Sequence, residues 1–142
     1  MARNFTGDFA KLNRWAKQLE AAPREILNRA ARNMADESLA LVAQGFRSQT
    51  DPYGNAWENL KERKGKILQD TGRLRVSWHR VSASKAGFRI AAGATYARFH
   101  QEGTRRMVAR MQVPRSGPLP KAWRDAMVEA ADEAFEDHFG RG

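Results

Sequence analysis

The chain contains no cysteine among its 142 residues. Disulfides and thiolate chemistry are therefore excluded, and nothing points to an oxidising compartment. Histidine is scarce: His79, His100 and His138 stand far apart, with no spacing suited to a metal. Long apolar runs are missing too, and none approaches the ~20 residues of a membrane span. The first eight residues, Met1 to Asp8, lack the apolar core of a signal peptide. The expectation is a soluble product made in a cytoplasm, with no membrane partner. No internal repeat or low-complexity segment interrupts the chain, and its length predicts a single domain over 1–142. A chain of this length buries roughly 68% of its unfolded surface and holds a core without staples.

Negative charge is scarce in one place only. Residues 61–115 hold 14 basic and 3 acidic groups, residues 1–60 hold 8 and 7, and residues 116–142 hold 3 and 6. The net charge of +9 therefore arises in the middle of the chain. Such a block faces a polyanion or an acidic protein surface, unless it is only a solubilising face.

Hydrophobic periodicity predicts the elements. Phe5, Phe9, Leu12, Ala16 and Leu19 share one face of a helix over 8–21. Pro23 opens a second helix over about 23–46, with Ile26, Leu27, Ala30, Met34, Leu41, Val42 and Phe46 as its apolar stripe. Gln49 to Asn55 is dense in turn formers and ends that helix. Little periodicity follows from Asp51 to about Thr71, which predicts a long central loop carrying Lys61, Arg63, Lys64 and Lys66. Leu74 to Val81 alternates as a strand, Ser82 to Gly87 connects, and Phe88 to Ala92 returns. Arg73, Arg75 and Arg89 make this a basic strand surface. Thr95 to Gln101 reads as one or two helical turns stopped by Gly103, and Arg105 to Val113 as a third strand. A last helix over 120–138 carries Trp123, Met127, Ala130, Ala131, Ala134 and Phe135 on one face. The fold class is α+β: long N-terminal helices and a C-terminal helix packed on a small antiparallel sheet, with the long central loop.

Asp70-Thr71-Gly72 matches the aspartic-protease triplet. Gln69 and Arg73 flank it where an apolar strand is required, and too few strands exist for a protease barrel, so it reads as a turn. His100 and Glu102, two apart on a helix, point away from each other, and His100 reads as a partly buried, hydrogen-bonded side chain. Trp57, Trp78, Tyr96, Phe88 and Phe99 interleave with arginines. That pattern serves either stacking on single-stranded nucleic acid or protein packing and interfaces. Packing is the favoured reading, with Trp57, Trp78, Tyr96, Phe99 and His100 as anchors of core or interface. No catalytic, cofactor-binding or metal-binding residue is assigned, and catalysis is not expected.

Three segments in order resemble the phage virion morphogenesis, or tail completion, proteins of Mu-like and P2-like tailed phages and prophages. They are Phe46 through Asp51-Pro52-Tyr53-Gly54-Asn55-Ala56-Trp57, then Ile67 to Ser77, then Tyr96-Ala97-Arg98-Phe99-His100-Gln101-Glu102-Gly103. Order and spacing fit over about residues 5–140. The family continues into a Pro-Ala-Arg-Pro-Phe-Leu type segment, whereas this chain has Val113-Pro114-Arg115-Ser116-Gly117-Pro118-Leu119-Pro120.

The resemblance implies a structural protein of the virion neck or tail end, assembled in the host cytoplasm. It implies a homo-oligomer, a sixfold ring, that meets other neck and tail proteins and joins a finished head to a tail. Lys61, Arg63, Lys64 and Lys66 then face the lumen or a partner, in contact with passing DNA. Two or three strands also leave open sheet edges that invite a neighbour. The alternatives are a basic nucleic-acid-binding module and a capsid-assembly factor that leaves before maturation.

Overall fold

The computed structural model describes residues 17, 23–58 and 73–139. The helix expected over 8–21 lies outside them except for Lys17, which is helical. The described elements are α1 (Arg24–Ser48), α2 (Arg73–Ser77), β1 (Trp78–Ser84), β2 (Gly87–Ala92), α3 (Ala97–Glu102) and α4 (Lys121–Phe139). The chain is α+β, as its periodicity predicts.

α1 has 25 residues and spans about 37 Å. Pro23 caps it, and its carbonyl accepts the amides of Ile26 and Leu27 at 3.0 and 3.3 Å. The helix ends where Gln49 turns left-handed at φ 58°. Four residues of the expected stripe, Ile26, Ala30, Val42 and Phe46, are buried, but so are Ala31, Ala35 and Ser38. The buried arc is wider than a stripe because α1 is covered twice, by α4 and by both strands.

α4 runs antiparallel to α1. Ile26 and Ala30 meet Ala131, Ala134 and Phe135 at one end. Midway, the Ser38 hydroxyl lies 3.3 Å from the Met127 sulfur, and the Asn33 amide donates to the Ala130 carbonyl at 3.2 Å. At the other end Val42 and Phe46 join Trp57, Leu74, Ala97 and Trp123. Fully burying a side chain such as Phe46 contributes about 1.5–3 kcal/mol. All six residues expected on the apolar face of the last helix are buried.

β1 and β2 form a two-stranded antiparallel hairpin with a bulge at Val81, between the Arg80–Ile90 and Ser82–Arg89 pairs. The extra residue shifts the alternation, so Trp78, Arg80 and Ala83 share a face with Ala92, Ile90 and Phe88. That face lies on α1, where Arg80 reaches Asp36 at 3.6 Å. The turn is shorter than expected and sits at Lys85–Ala86. The Lys85 amide donates to the Asn28 side chain on α1 at 2.8 Å, which ties down the tip.

Two expected strand segments are not strands. Arg73–Ser77 forms a helical turn instead of the start of β1. Its would-be partner ends first: β2 stops at Ala92, and the Gly93 amide makes the last contact, to the Ser77 carbonyl at 2.9 Å. Without a neighbouring strand the segment satisfies its backbone locally. Leu74 enters the core, and Val76 stays 71% exposed. Residues 105–113 do not form a third strand either. Gly103, at φ 78°, turns the chain. Thr104 and Met107 then close a tight bridge, and side chains take over the hydrogen bonds that a neighbouring strand would make.

Candidate assembly surface

The residues shared with the resembling segments converge on the irregular stretch 108–115. Asp51 organises the first segment. Its carboxylate accepts the amides of Tyr53 and Asn55 at 2.8 and 2.9 Å, and Gly54 supplies the left-handed φ of 88°. This Asx-type loop returns the chain so that the Trp57 amide meets the Gln49 carbonyl at 2.8 Å. Trp57 is thereby set edge-on against Phe46, centroids 5.4 Å apart. Its indole N–H donates to the Met111 carbonyl at 2.9 Å. The Tyr53 hydroxyl accepts the Arg115 amide at 3.1 Å.

The third segment supplies Gln101 from α3. Its side-chain oxygen accepts the amides of Gln112 and Val113 at 2.7 and 3.2 Å, and its nitrogen donates to the Val113 carbonyl at 2.8 Å. One glutamine thus serves as the neighbouring strand that the stretch lacks. Gln112 turns inward and accepts the Trp78 indole N–H at 2.9 Å. Arg110, only 8% exposed, donates through Nε to the Glu58 carbonyl at 3.0 Å, while its backbone amide donates to the His100 carbonyl at 2.7 Å. A buried guanidinium stands only with such acceptors.

The expected anchors divide into two groups. Trp57 and Trp78 are brought together by the 111–112 stretch and belong to the core. Tyr96 and His100 are half-buried, their rings edge-to-face at 5.8 Å. Phe99 is 46% exposed, with the Arg98 guanidinium 5.5 Å from its ring centre. Arg73 and Arg75 are exposed on the α2 turn rather than on a strand, and Arg89 is exposed on β2. Lys61, Arg63, Lys64 and Lys66, with Asp70-Thr71-Gly72, lie outside the described residues. Gln101, Arg110 and Gln112 were not singled out by periodicity. The hint that could have found them is long polar side chains beside a turn glycine in a stretch that alternates only weakly.

Between the base of the hairpin and α3 lies an open cleft of about 470 Å³. Trp78, Ala92, Ala94 and Ala97 give it an apolar floor, and Arg98 and Gln101 stand at its side. Among the described residues, no three His, Cys, Asp or Glu side chains gather as metal ligands, and no helix is long and apolar enough to cross a membrane. Among the same residues, β1 pairs only with β2, so each strand presents an open outer edge.

No curated protein and no solved structure matches the chain. Compared with known protein families, residues 8–127 match one described as the phage virion morphogenesis family. That span takes in α1, the Asp51 loop, the hairpin, α3 and the first turns of α4. The chain belongs to the phage virion morphogenesis family.

Proposed function

We propose that this chain is a structural subunit of the virion neck, a tail-completion or tail-terminator-like ring protein that joins a finished head to a tail. It acts as a homo-oligomer, a hexameric ring, and performs no chemistry. The observation that carries this reading is the open two-stranded sheet in a member of a virion morphogenesis family. A hairpin whose outer edges meet no further strand among the described residues is an incomplete sheet, and pairing with a neighbour completes it. Contacts between different faces of identical subunits close into a ring when the rotation permits.

The neighbours are other neck and tail proteins, and the site of action is the neck of the particle. The basic block favours a second reading, a module that binds nucleic acid through phosphate contacts without sequence preference. The two separate on disruption of the gene. A neck subunit predicts filled heads and complete tails that stay apart, visible by electron microscopy. Normal, infectious, joined particles from the disrupted phage would sink the reading.

A further inference from the structure

The two edges of the hairpin are not equivalent. β1 carries the bulge at Val81, between the Arg80–Ile90 and Ser82–Arg89 pairs, and a bulge twists an edge away from a new strand. β2 has neither bulge nor proline over Gly87–Ala92. Its alternation is fixed from one end. The Gly93 amide donates across the ladder to the Ser77 carbonyl at 2.9 Å, so Gly93 faces β1. Successive residues of a strand turn their backbone groups to opposite sides. Ala91 and Arg89 therefore also bond to β1, while Ala92, Ile90 and Phe88 turn their N–H and C=O groups outward. Among the described residues, nothing outside the hairpin bonds to those outward groups.

The side chains along this edge fall in two rows. Phe88, Ile90 and Ala92 form the inner row, apolar and half-buried. That row runs into the cleft, which the consecutive stretch Ala92, Gly93, Ala94 and Thr95 lines, with Trp78 in its floor and Arg98 at its side. Arg89 stands exposed on the outer row. Residues 73–101 contain six Lys or Arg and no Asp or Glu. Of these cations, Arg80 is turned to Asp36 on α1. A strand laid along β2 thus meets apolar side chains on its inner row, Arg89 on its outer row and Arg98 at the cleft.

We infer that the β2 edge and the cleft at its end bind an extended segment of a different virion protein, one that alternates apolar and acidic residues. Backbone bonds to Phe88, Ile90 and Ala92 hold the segment, and an apolar side chain fills the cleft beside Arg98. The inference rests on the ring-subunit reading, which excludes a second copy as the source. Pairing β2 with β2 of a second copy gives a two-fold pair that closes on itself and does not propagate around a ring. Pairing β2 with β1 of a second copy meets the Val81 bulge. The edge is left to an axial neighbour, above or below the ring.

The first test needs no ligand. In the full chain the Phe88, Ile90 and Ala92 amides exchange with solvent about tenfold or more faster than those of Arg89, Ala91 and Gly93. Equal protection across the six means that the edge is already covered, and overturns the inference. The second test uses the phage. Ala92→Pro removes an outward N–H and no ladder bond, so the ring and its melting temperature persist. The yield of joined particles falls by about tenfold or more. A photo-cross-linker at position 91, on the outer row, captures in purified particles a segment of a different protein with the stated alternation. That readout stands even where Ala92→Pro fails to fold. Normal joining by a folded Ala92→Pro variant overturns the inference and leaves the ring reading intact. Capture of nothing, of DNA or of a second copy of this chain does the same. A wild type that stays monomeric and is absent from particles overturns both.

Discussion

The Trp78 indole N–H donates to the side-chain oxygen of Gln112 at 2.9 Å, and Gln112 is only 4% exposed. The bond joins the first residue of the hairpin to a stretch that belongs to no helix or strand. Trp78 is half-buried at the edge of the cleft, but the buried Gln112 oxygen has no water as a substitute partner.

Removing both partners should therefore cost less than the two single removals added together. Trp78→Phe and Gln112→Leu are each expected to destabilise by about 1–3 kcal/mol. The double variant should cost less than their sum by roughly 0.5 kcal/mol or more. Urea unfolding of the four proteins measures the difference. Strictly additive costs would show that the two side chains do not interact in solution.

Gln101→Leu removes three hydrogen bonds to Gln112 and Val113. The expected cost is about 2–3 kcal/mol. Hydrogen exchange locates the damage: the Gln112 and Val113 amides should lose protection while the β1–β2 amides keep theirs. Uniform loss across both would contradict a local role for Gln101.

These two glutamines also mark where the sequence stops being legible. The long helices were readable because apolar residues at three- and four-residue steps have one cheap solution. Gly103 was readable as a stop because the chain turns there at positive φ. The stretch 105–113 alternates, and alternation is compatible with a strand, but a strand needs a neighbour, and here Gln101 takes that place. Leu74 and Val76 misled in the same way: the pattern fits a strand, yet β2 ends before it could pair with them. Arg80 and Trp78 share one side of β1, as alternation predicts, while the bulge at Val81, which brings Ala83 onto that side, leaves no mark in the pattern. What was lost lay in partnership between distant residues, not in local propensity.

Two glycines at positive φ should respond differently to alanine. At Gly54 a Cβ meets nothing within 4 Å, so only the left-handed backbone is penalised, about 1 kcal/mol. At Gly103 the Cβ would lie 2.9 Å from the Ala109 amide nitrogen and 3.1 Å from the Met107 carbonyl oxygen. Gly103→Ala should cost roughly 2–4 kcal/mol, since the backbone of the following turn must move. Thermal melts of the two variants give the order, and equal losses would refute the close approach.

Trp57→Phe keeps most of the ring in the core but removes the donor to Met111. About 1–3 kcal/mol is expected, against about 3–5 kcal/mol for Trp57→Ala. Near-equal effects would place the contribution of Trp57 in its hydrogen bond and not in packing against Phe46.

Reversing the charges of Lys61, Arg63, Lys64 and Lys66 should leave the melting temperature nearly unchanged and still block head–tail joining. The paired readout is a melt of the purified chain and particle counts from the phage carrying the variant. Normal yields of joined particles would remove the basic loop from the account.

A neck subunit, as proposed, is a permanent part of the particle. Mass spectrometry of purified, intact particles, with labelled peptides of this chain as standards, decides between a resident and a departing protein. A resident neck subunit is present in a small fixed number of copies per particle, with antibody labelling confined to the head–tail junction. Particles that are complete and infectious yet contain none of it would contradict the neck assignment and leave an assembly factor that departs before maturation.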